Sequence, residues 1–152
     1  MKAPAFSLSD QDGKMHTLSD YVGKWLIIYF YPKDDTPGCT KEACSLRDNV
    51  KEFEKFGVSI LGISKDSVSS HKKFAEKYQL NFPLLADPDH QVIESFGAWG
   101  RKKFMGREFD GILRNTYVIN PKGEIEKEYK GVNPLTHADE LLADLKILLD
   151  KE

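Results

Sequence analysis

The chain has 152 residues, of which 40% are hydrophobic, enough for one conventional core without metal or disulfide staples, so we expect a single domain over residues 1–152. Its 22 basic and 24 acidic residues give a formal net charge of -2, which argues against nucleic acid and anionic membranes as partners. The first residues lack the apolar segment of a signal peptide, and no apolar stretch approaches the roughly 20 residues that span a bilayer, so we expect a cytoplasmic protein.

The N-terminal quarter of the sequence shows strand patterns. Residues 5–8 and 15–18 flank the turn dipeptide Asp12-Gly13 and indicate a short β-hairpin. Residues 25–31 form an unbroken run rich in aromatic and branched side chains, too short for a buried helix. This run predicts a central strand that is buried on both faces.

The next segment changes to a helical period. From Thr36 to Gly57, apolar residues recur at alternating steps of four and three, which predicts one amphipathic helix closed by the glycine. Residues 58–63 then indicate a second buried strand, and Ser67 is expected to cap a further helix. This alternation of strand and helix is typical of a parallel sheet.

The rest of the chain predicts shorter elements. They are a strand at 84–86, a helix around 92–96, an irregular loop over 99–111, a hairpin of strands 113–119 and 124–129, and a last helix capped by Thr136. Together the patterns predict an α/β fold in which helices flank a central mixed β-sheet.

Both cysteines of the chain, Cys39 and Cys44, lie in the first helical segment. Thr36 suits the N-cap position and Pro37 the first helical position, which places Cys39 in the first turn. Unpaired backbone N–H groups and the helix dipole favour an anion there, so we expect a reactive thiolate. The alternative is that Cys39 is an unreactive, small apolar residue of the core face.

Cys44 stands five positions after Cys39, which in a helix separates the two Cα atoms by roughly 8.6 Å. A disulfide tolerates about 7 Å, so the helix must unwind at its start if the thiols are to couple. Two alternatives are that both thiols are inert or that they bind a metal. A zinc site needs about four ligands, and the histidines are scattered over positions 16, 71, 90 and 137, so we expect no metal.

Arg114 interrupts the apolar pattern of residues 112–119. A guanidinium within such a strand needs a partner if its head is buried. It either faces solvent at the start of the strand or pairs with the Cys39 thiolate, where a permanent cation would favour ionisation of the thiol. Sequence spacing alone does not distinguish these interpretations.

These residues resemble the peroxiredoxins, specifically the Q type named after bacterioferritin comigratory protein. The resemblance covers essentially the whole chain, and its core is the pattern Pro-x-x-x-Thr-x-x-Cys at Pro32, Thr36 and Cys39, followed by Cys44 and by Arg114 in "LRNTYVI". It implies a thioredoxin-like fold and a thiol peroxidase that needs neither a metal nor an organic cofactor.

The resemblance also implies a role for each site residue. Cys39 matches the peroxidatic cysteine, whose thiolate attacks the O–O bond of hydrogen peroxide or an alkyl hydroperoxide and becomes a sulfenic acid. Thr36 and Arg114 match the residues that activate the thiolate and bind the peroxide oxygens. Pro32 matches the residue that shields the thiolate. Glu42 occupies a place where the family often has a residue that orients the arginine, the alternative being a solvated helix carboxylate.

Cys44 matches the resolving cysteine of those Q-type members that carry both thiols on one helix. It would form an intramolecular disulfide that thioredoxin or a similar dithiol reduces, in a protein expected to be a monomer or at most a weak dimer. Two other functions stay open at this point. One is general thiol–disulfide exchange, although its motifs usually place two residues between the cysteines. The other is a chaperone-like binding protein with incidental thiols.

Overall fold

The computed structural model describes residues 1–149. Its strands are β1 Ser7–Ser9, β2 Met15–Thr17, β3 Trp25–Phe30, β4 Val58–Ser64, β5 Leu84–Ala86, β6 Trp99–Phe104, β7 Arg107–Ile112, β8 Thr116–Ile119 and β9 Ile125–Tyr129. Its α-helices are α1 Pro37–Asp48, α2 Val50–Lys55, α3 Val68–Tyr78, α4 Gln91–Ser95 and α5 His137–Leu149, with a 3₁₀ turn at Leu18–Tyr21. Within residues 1–149, no helix has the length and apolar character needed to cross a membrane.

A five-stranded mixed sheet in the order β5-β4-β3-β8-β9 forms the centre of the molecule. Strands β3, β4 and β5 run parallel, whereas β8 pairs antiparallel with β3 and β9 antiparallel with β8. All six residues of β3 are buried, because apolar clusters cover both faces of the sheet. β1 and β2 form the N-terminal hairpin. The predicted α/β class, with helices flanking a mixed sheet, is confirmed.

Helices cover the sheet unequally. Side chains of α1, α2, α3 and α5 pack in one apolar cluster with Ile27 and Tyr29 of β3. On the other face, α4 and the N-terminal segment pack with Leu26 and Ile28. The side chains of β3 therefore alternate between the two clusters. The C-terminal end of this strand leads into the loop before α1.

The prediction of one helix from Thr36 to Gly57 was wrong. The helix stops at Asn49, whose backbone leaves the helical region (φ -111, ψ 5) and whose side-chain amide donates to the Ser45 carbonyl at 2.7 Å. The short helix α2 follows. The apolar spacing continues across the break because Phe53 is still directed into the core, so the sequence carried no sign of the interruption.

The prediction of an irregular loop over 99–111 was also wrong. β6 and β7 form an antiparallel hairpin, joined by Met105 and Gly106, which both have positive φ (52° and 80°). Two such residues match the twist of a tight hairpin turn. The first four residues of β7 are exposed, so apolar residues do not alternate along it as they do along a strand that packs on a core.

The interpretation of Arg114 as a residue within a strand was wrong. β8 begins at Thr116, so the arginine lies in the short connection after β7. The Asn115 carbonyl accepts a hydrogen bond from the Phe30 amide at 2.9 Å, which joins this connection to the C-terminal end of β3. Arg114 is thereby held near the C-terminal end of β3, from which the chain continues toward Cys39.

Candidate active site

Cys39 lies in the first turn of α1, after the loop that leaves β3. Thr36 occupies the N-cap position with an extended backbone (φ -99, ψ 156), and Pro37 begins the helix, as the sequence predicts. The expected side-chain cap is absent: the Thr36 hydroxyl donates to the Lys33 carbonyl at 3.0 Å instead. The fixed φ of the proline and the extended N-cap backbone therefore define the start of the helix.

The Arg114 guanidinium joins the two acidic groups of the site. Its Nη2 donates to Cys39 Sγ at 3.3 Å, and its Nη1 donates to Glu42 Oε1 at 2.9 Å. Gly38 permits this approach, since a Cβ there would stand 3.3 Å from Nη2. Of the two interpretations of Arg114, the structure supports pairing with Cys39, and it brings together residues 75 positions apart.

Glu42 is buried, with 1% of its surface exposed, so the alternative of a solvated helix carboxylate is wrong. Burial raises the pKa of Glu42 to about 7, although the Arg114 charge and hydrogen bond act in the opposite direction. Its second oxygen, Oε2, has no hydrogen-bond donor among the described residues. For Arg114, burial lowers the pKa, but the acidic groups of Cys39 and Glu42 outweigh it and the net direction is upward.

The loop before α1 is anchored by Asp34, a buried carboxylate that the sequence analysis did not single out. Its oxygens accept hydrogen bonds from the Tyr31 hydroxyl at 2.6 Å and the Ser70 hydroxyl at 2.8 Å, and lie 2.7 Å from Nδ1 of the fully buried His71. The backbone N–H of Asp34 donates to Asp66 at 2.8 Å. Two features of the sequence could have indicated this anchor: a histidine, His71, on the core face of a predicted helix, and the acidic residues of the loop before Cys39.

The neighbouring Asp35 makes a second, exposed anchor. Its backbone adopts the left-handed conformation (φ 56), and its carboxylate accepts from Lys77 Nζ at 2.8 Å and from the Tyr78 hydroxyl at 2.7 Å. Both anchors attach the loop to α3, so the loop position does not depend on α1 alone.

Carboxylate and imidazole atoms of Asp34, Asp66 and His71 lie within 4.8 Å of one another, a cluster that could in principle hold a metal ion. The geometry favours direct hydrogen bonds instead. His71 Nδ1 contacts Asp34 at 2.7 Å, and Asp66 Oδ2 is occupied by the Asp34 N–H and the Ser64 hydroxyl. This cluster is therefore a structural anchor for the loop.

A cavity of about 480 Å³ borders the site. Arg114 and Pro32 lie on its wall together with Gly97, Lys102, Leu113, Asn115, Lys130, Gly131 and Val132. Cavities of this size accommodate small organic molecules. A molecule in this cavity therefore meets the arginine that contacts the Cys39 sulfur.

Cys44 lies on the same helix, is partly exposed, and like Cys39 is a free thiol. Because α1 runs without interruption over both positions, helix geometry keeps their Cα atoms roughly 8.6 Å apart, beyond disulfide reach. The structure is therefore that of the dithiol form, with the two sulfurs prevented from bonding by the helix itself.

The sheet has a thioredoxin-like arrangement. A buried cysteine lies at the start of a helix, and an arginine donates a hydrogen bond to its sulfur. These features define a class of proteins whose site is built around a thiol. The sequence model of the AhpC/TSA family matches residues 1–128. Peroxiredoxin Bcp of Escherichia coli K12 is 51% identical over 144 residues, covering 95% of this chain and 92% of the relative. Peroxiredoxin Bcp of Bacillus subtilis is 44% identical over 150 residues, covering 99% and 96%.

Solved structures give the same result. The bacterioferritin comigratory protein of Xanthomonas campestris superposes with a TM-score of 0.90 at 40% identity, over 95% of this chain and 92% of that one. A PrxQ mutant of Xylella fastidiosa gives a TM-score of 0.90 at 33% identity, over 97% and 96%. The chain belongs to the AhpC/TSA family and, within it, to the Q-type peroxiredoxins, which confirms the resemblance and the thioredoxin-like fold.

Proposed function

We propose that the protein is a peroxidase that reduces hydrogen peroxide and alkyl hydroperoxides with Cys39 as the nucleophile. The observation that carries the proposal is the 3.3 Å contact between Arg114 Nη2 and the buried Cys39 sulfur, beside a cavity that admits a small molecule. The Xanthomonas campestris relative is described through its alkyl peroxide reduction activity.

In the first step the Cys39 thiolate attacks one oxygen of the O–O bond. The S–O bond forms as the O–O bond breaks, the sulfur is oxidised to a sulfenic acid, and the other oxygen takes up a proton and leaves as water or alcohol. The Arg114 guanidinium stabilises the charge that develops on the leaving oxygen. Glu42, which accepts from the other guanidinium nitrogen, holds the arginine in this orientation.

The family pattern supports roles for two further residues, Pro32 and Thr36. Pro32 shields the thiolate from solvent at the cavity wall. Thr36 donates a hydrogen bond to the peroxide, which requires its hydroxyl to leave the Lys33 carbonyl. Both lie in the loop that Asp34 and Asp35 anchor, so the anchors fix these groups relative to the thiol.

Cys44 resolves the intermediate. Its thiolate attacks the sulfenic sulfur, and the S–S bond forms as the S–O bond breaks. The departing hydroxide takes up a proton and leaves as water, while α1 unwinds at its start to bring the sulfurs together. Thioredoxin or a similar dithiol then reduces the disulfide by thiol–disulfide exchange. The proposal is that a monomer carries out this cycle in the reducing cytoplasm, where dithiol reductants are available.

Peroxide consumption by two serine variants tests these roles. Cys39→Ser should abolish reduction of peroxide, whereas Cys44→Ser should consume one equivalent at the unchanged first-step rate and then stop turning over with a thioredoxin system. Each variant controls for the other, since both replace one thiol of α1. Equal and complete loss of the first oxidation in both variants, or reaction no faster than that of free cysteine, would contradict the proposal.

A further inference from the structure

The cavity that Arg114 lines carries an excess of positive charge. Three cations line it, Lys102, Arg114 and Lys130, and its described lining residues include no carboxylate. Arg114 is compensated by Glu42. Lys102 donates to the Ile112 carbonyl at 2.8 Å, and within residues 1–149 neither lysine has a carboxylate oxygen within 4 Å. Two of the three charges on the cavity wall therefore lack a counter-ion.

One of these two cations, Lys102, lies on the β6–β7 hairpin. Its acidic residues pair on the opposite face, where Arg101 lies 3.4 Å from Asp110 and 3.7 Å from Glu108. Because side chains alternate along a strand, Lys102 is directed to the other face. Gly111 leaves room there, since a Cβ at this position would stand 3.2 Å from Lys102 Cδ. The hairpin thus separates an ion-paired outer face from a cationic inner face.

The surroundings of Lys102 disfavour its charge. Burial lowers the pKa of Lys102, the nearby Arg114 charge lowers it further, and Cys39 acts in the opposite direction. An anion in the cavity would offset the repulsion between these two cations. The charges that line the cavity therefore favour a negatively charged group there.

We propose that Lys102 and Lys130 form an anion subsite that selects hydroperoxides whose organic part carries a carboxylate or a similar anionic group. The hydroperoxide end lies toward Arg114 and Cys39, the carbon part contacts Leu113 and Val132, and the anionic end is held by the two lysines. The inference rests on the proposed peroxidase function and adds a selection by charge that the reacting residues do not provide.

A matched pair of substrates tests the subsite: cumene hydroperoxide bearing a para-carboxylate, and the methyl ester of the same molecule. With Lys102→Met or Lys130→Met, kcat/KM for the acid should fall about three- to tenfold, while the values for the ester and for hydrogen peroxide change by less than about twofold. Lys103→Met is the control, because this lysine belongs to the same hairpin but to its outer face. Lys102→Arg should retain the preference for the acid.

The results separate the subsite from the proposed function. Acid and ester affected equally by Lys102→Met and Lys130→Met, or a loss with Lys103→Met as large as theirs, would overturn the subsite. A wild-type protein that reduces hydrogen peroxide but does not favour the acid over the ester would also overturn it and leave the peroxidase function intact. Failure to reduce hydrogen peroxide would overturn the proposed function itself. High salt should reduce the preference for the acid by screening.

Discussion

At the scale of single residues, the most unusual feature of the site is the Glu42 carboxyl group, which is buried beside the Arg114 cation. Glu42 is 1% exposed and accepts one hydrogen bond from Arg114, while its second oxygen has no donor among the described residues. Removing a carboxylate from water costs more than one such contact returns, which is why burial dominates its pKa. The same guanidinium contacts both Glu42 and the Cys39 sulfur, so this contact is made at a cost in stability.

The free-energy cost of burying the Glu42 carboxylate should depend on pH. The pKa of Glu42 is raised from 4.5 to about 7, so the penalty is absent below pH 4.5, grows as pH rises to about 7, and is constant above that. Glu42→Gln removes the ionisation. Its free energy of unfolding relative to wild type should therefore improve by about 3 kcal/mol between pH 4.5 and pH 8, as measured by urea denaturation of the reduced protein.

Glu52→Gln is the matched control, since this carboxylate lies on α2 with half of its side chain exposed. The difference between Glu52→Gln and wild type should stay nearly the same over this pH range. Parallel pH profiles for Glu42→Gln and wild type would mean that burial does not raise the pKa of Glu42 and that its cost is not electrostatic.

The residue types of the site could be predicted from sequence, but their contacts could not. The resemblance to the peroxiredoxins identified Pro32, Thr36 and Glu42 as candidates, because the family pattern lies within one segment around Cys39. The contact between Arg114 and Cys39 joins positions 75 residues apart, and it depends on a connection that a hydrogen bond attaches to the end of β3. Spacing carries no information about such a contact.

At the scale of elements, the buried Asp34 anchor holds the loop between β3 and α1 against α3. Asp34→Asn leaves Tyr31, Ser70 and His71 with a poorer acceptor in a buried site. We expect a loss of about 3 kcal/mol in the free energy of unfolding, measured by urea denaturation, together with a slower first oxidation of Cys39.

Asp35→Asn is the control for this prediction, because Asp35 is the next residue and makes its ion pair in solvent. It should change the unfolding free energy far less, since exposed pairs contribute little. Similar losses in the two variants would show that the loop does not depend on the buried anchor.

Helix α1 should be the element that changes during the reaction. The loop before it is anchored to α3, and Asn49 already interrupts the helical hydrogen bonds after it, so the unwinding needed for a disulfide is confined to Pro37–Asp48. Amide hydrogen exchange of the oxidised protein should be faster than that of the reduced protein in α1 and unchanged in α2 and α3.

Cys44→Ser provides the control for this experiment, since it permits the first oxidation and prevents the disulfide. Its α1 amides should stay protected after one equivalent of peroxide. Unchanged protection of α1 in a wild-type protein that carries the disulfide would contradict the unwinding, because the intact helix separates the two Cα atoms by roughly 8.6 Å.

Elements with at least one face buried in the core were predictable, and elements without such a face were not. β3 and α3 show clear apolar patterns, and the Ser67 hydroxyl accepts from the Ser70 amide as an N-cap should. The β6–β7 hairpin was missed because cross-strand ion pairs replace apolar alternation on its outer face. The break at Asn49 was missed because the core-facing spacing continues through it.

At the scale of the whole molecule, the fold brings together three separate parts of the chain at the end of β3. The loop and α1 supply Cys39, the connection before β8 supplies Arg114, and the β6–β7 hairpin supplies Lys102 to the cavity. The mixed α/β sheet could be predicted from the alternation of strands and helices. The meeting of the three parts could not, because it depends on the antiparallel placement of β8 beside β3.

One chain should complete the oxidation with its own two thiols. Mass spectrometry of the reduced protein after one equivalent of hydrogen peroxide tests it most directly. We expect a monomer that has lost two hydrogens, with the peptides of Cys39 and Cys44 joined, and one added oxygen on Cys39 in Cys44→Ser. A disulfide-linked dimer, or oxygen retained on Cys39 beside a free Cys44 in the wild-type protein, would contradict it.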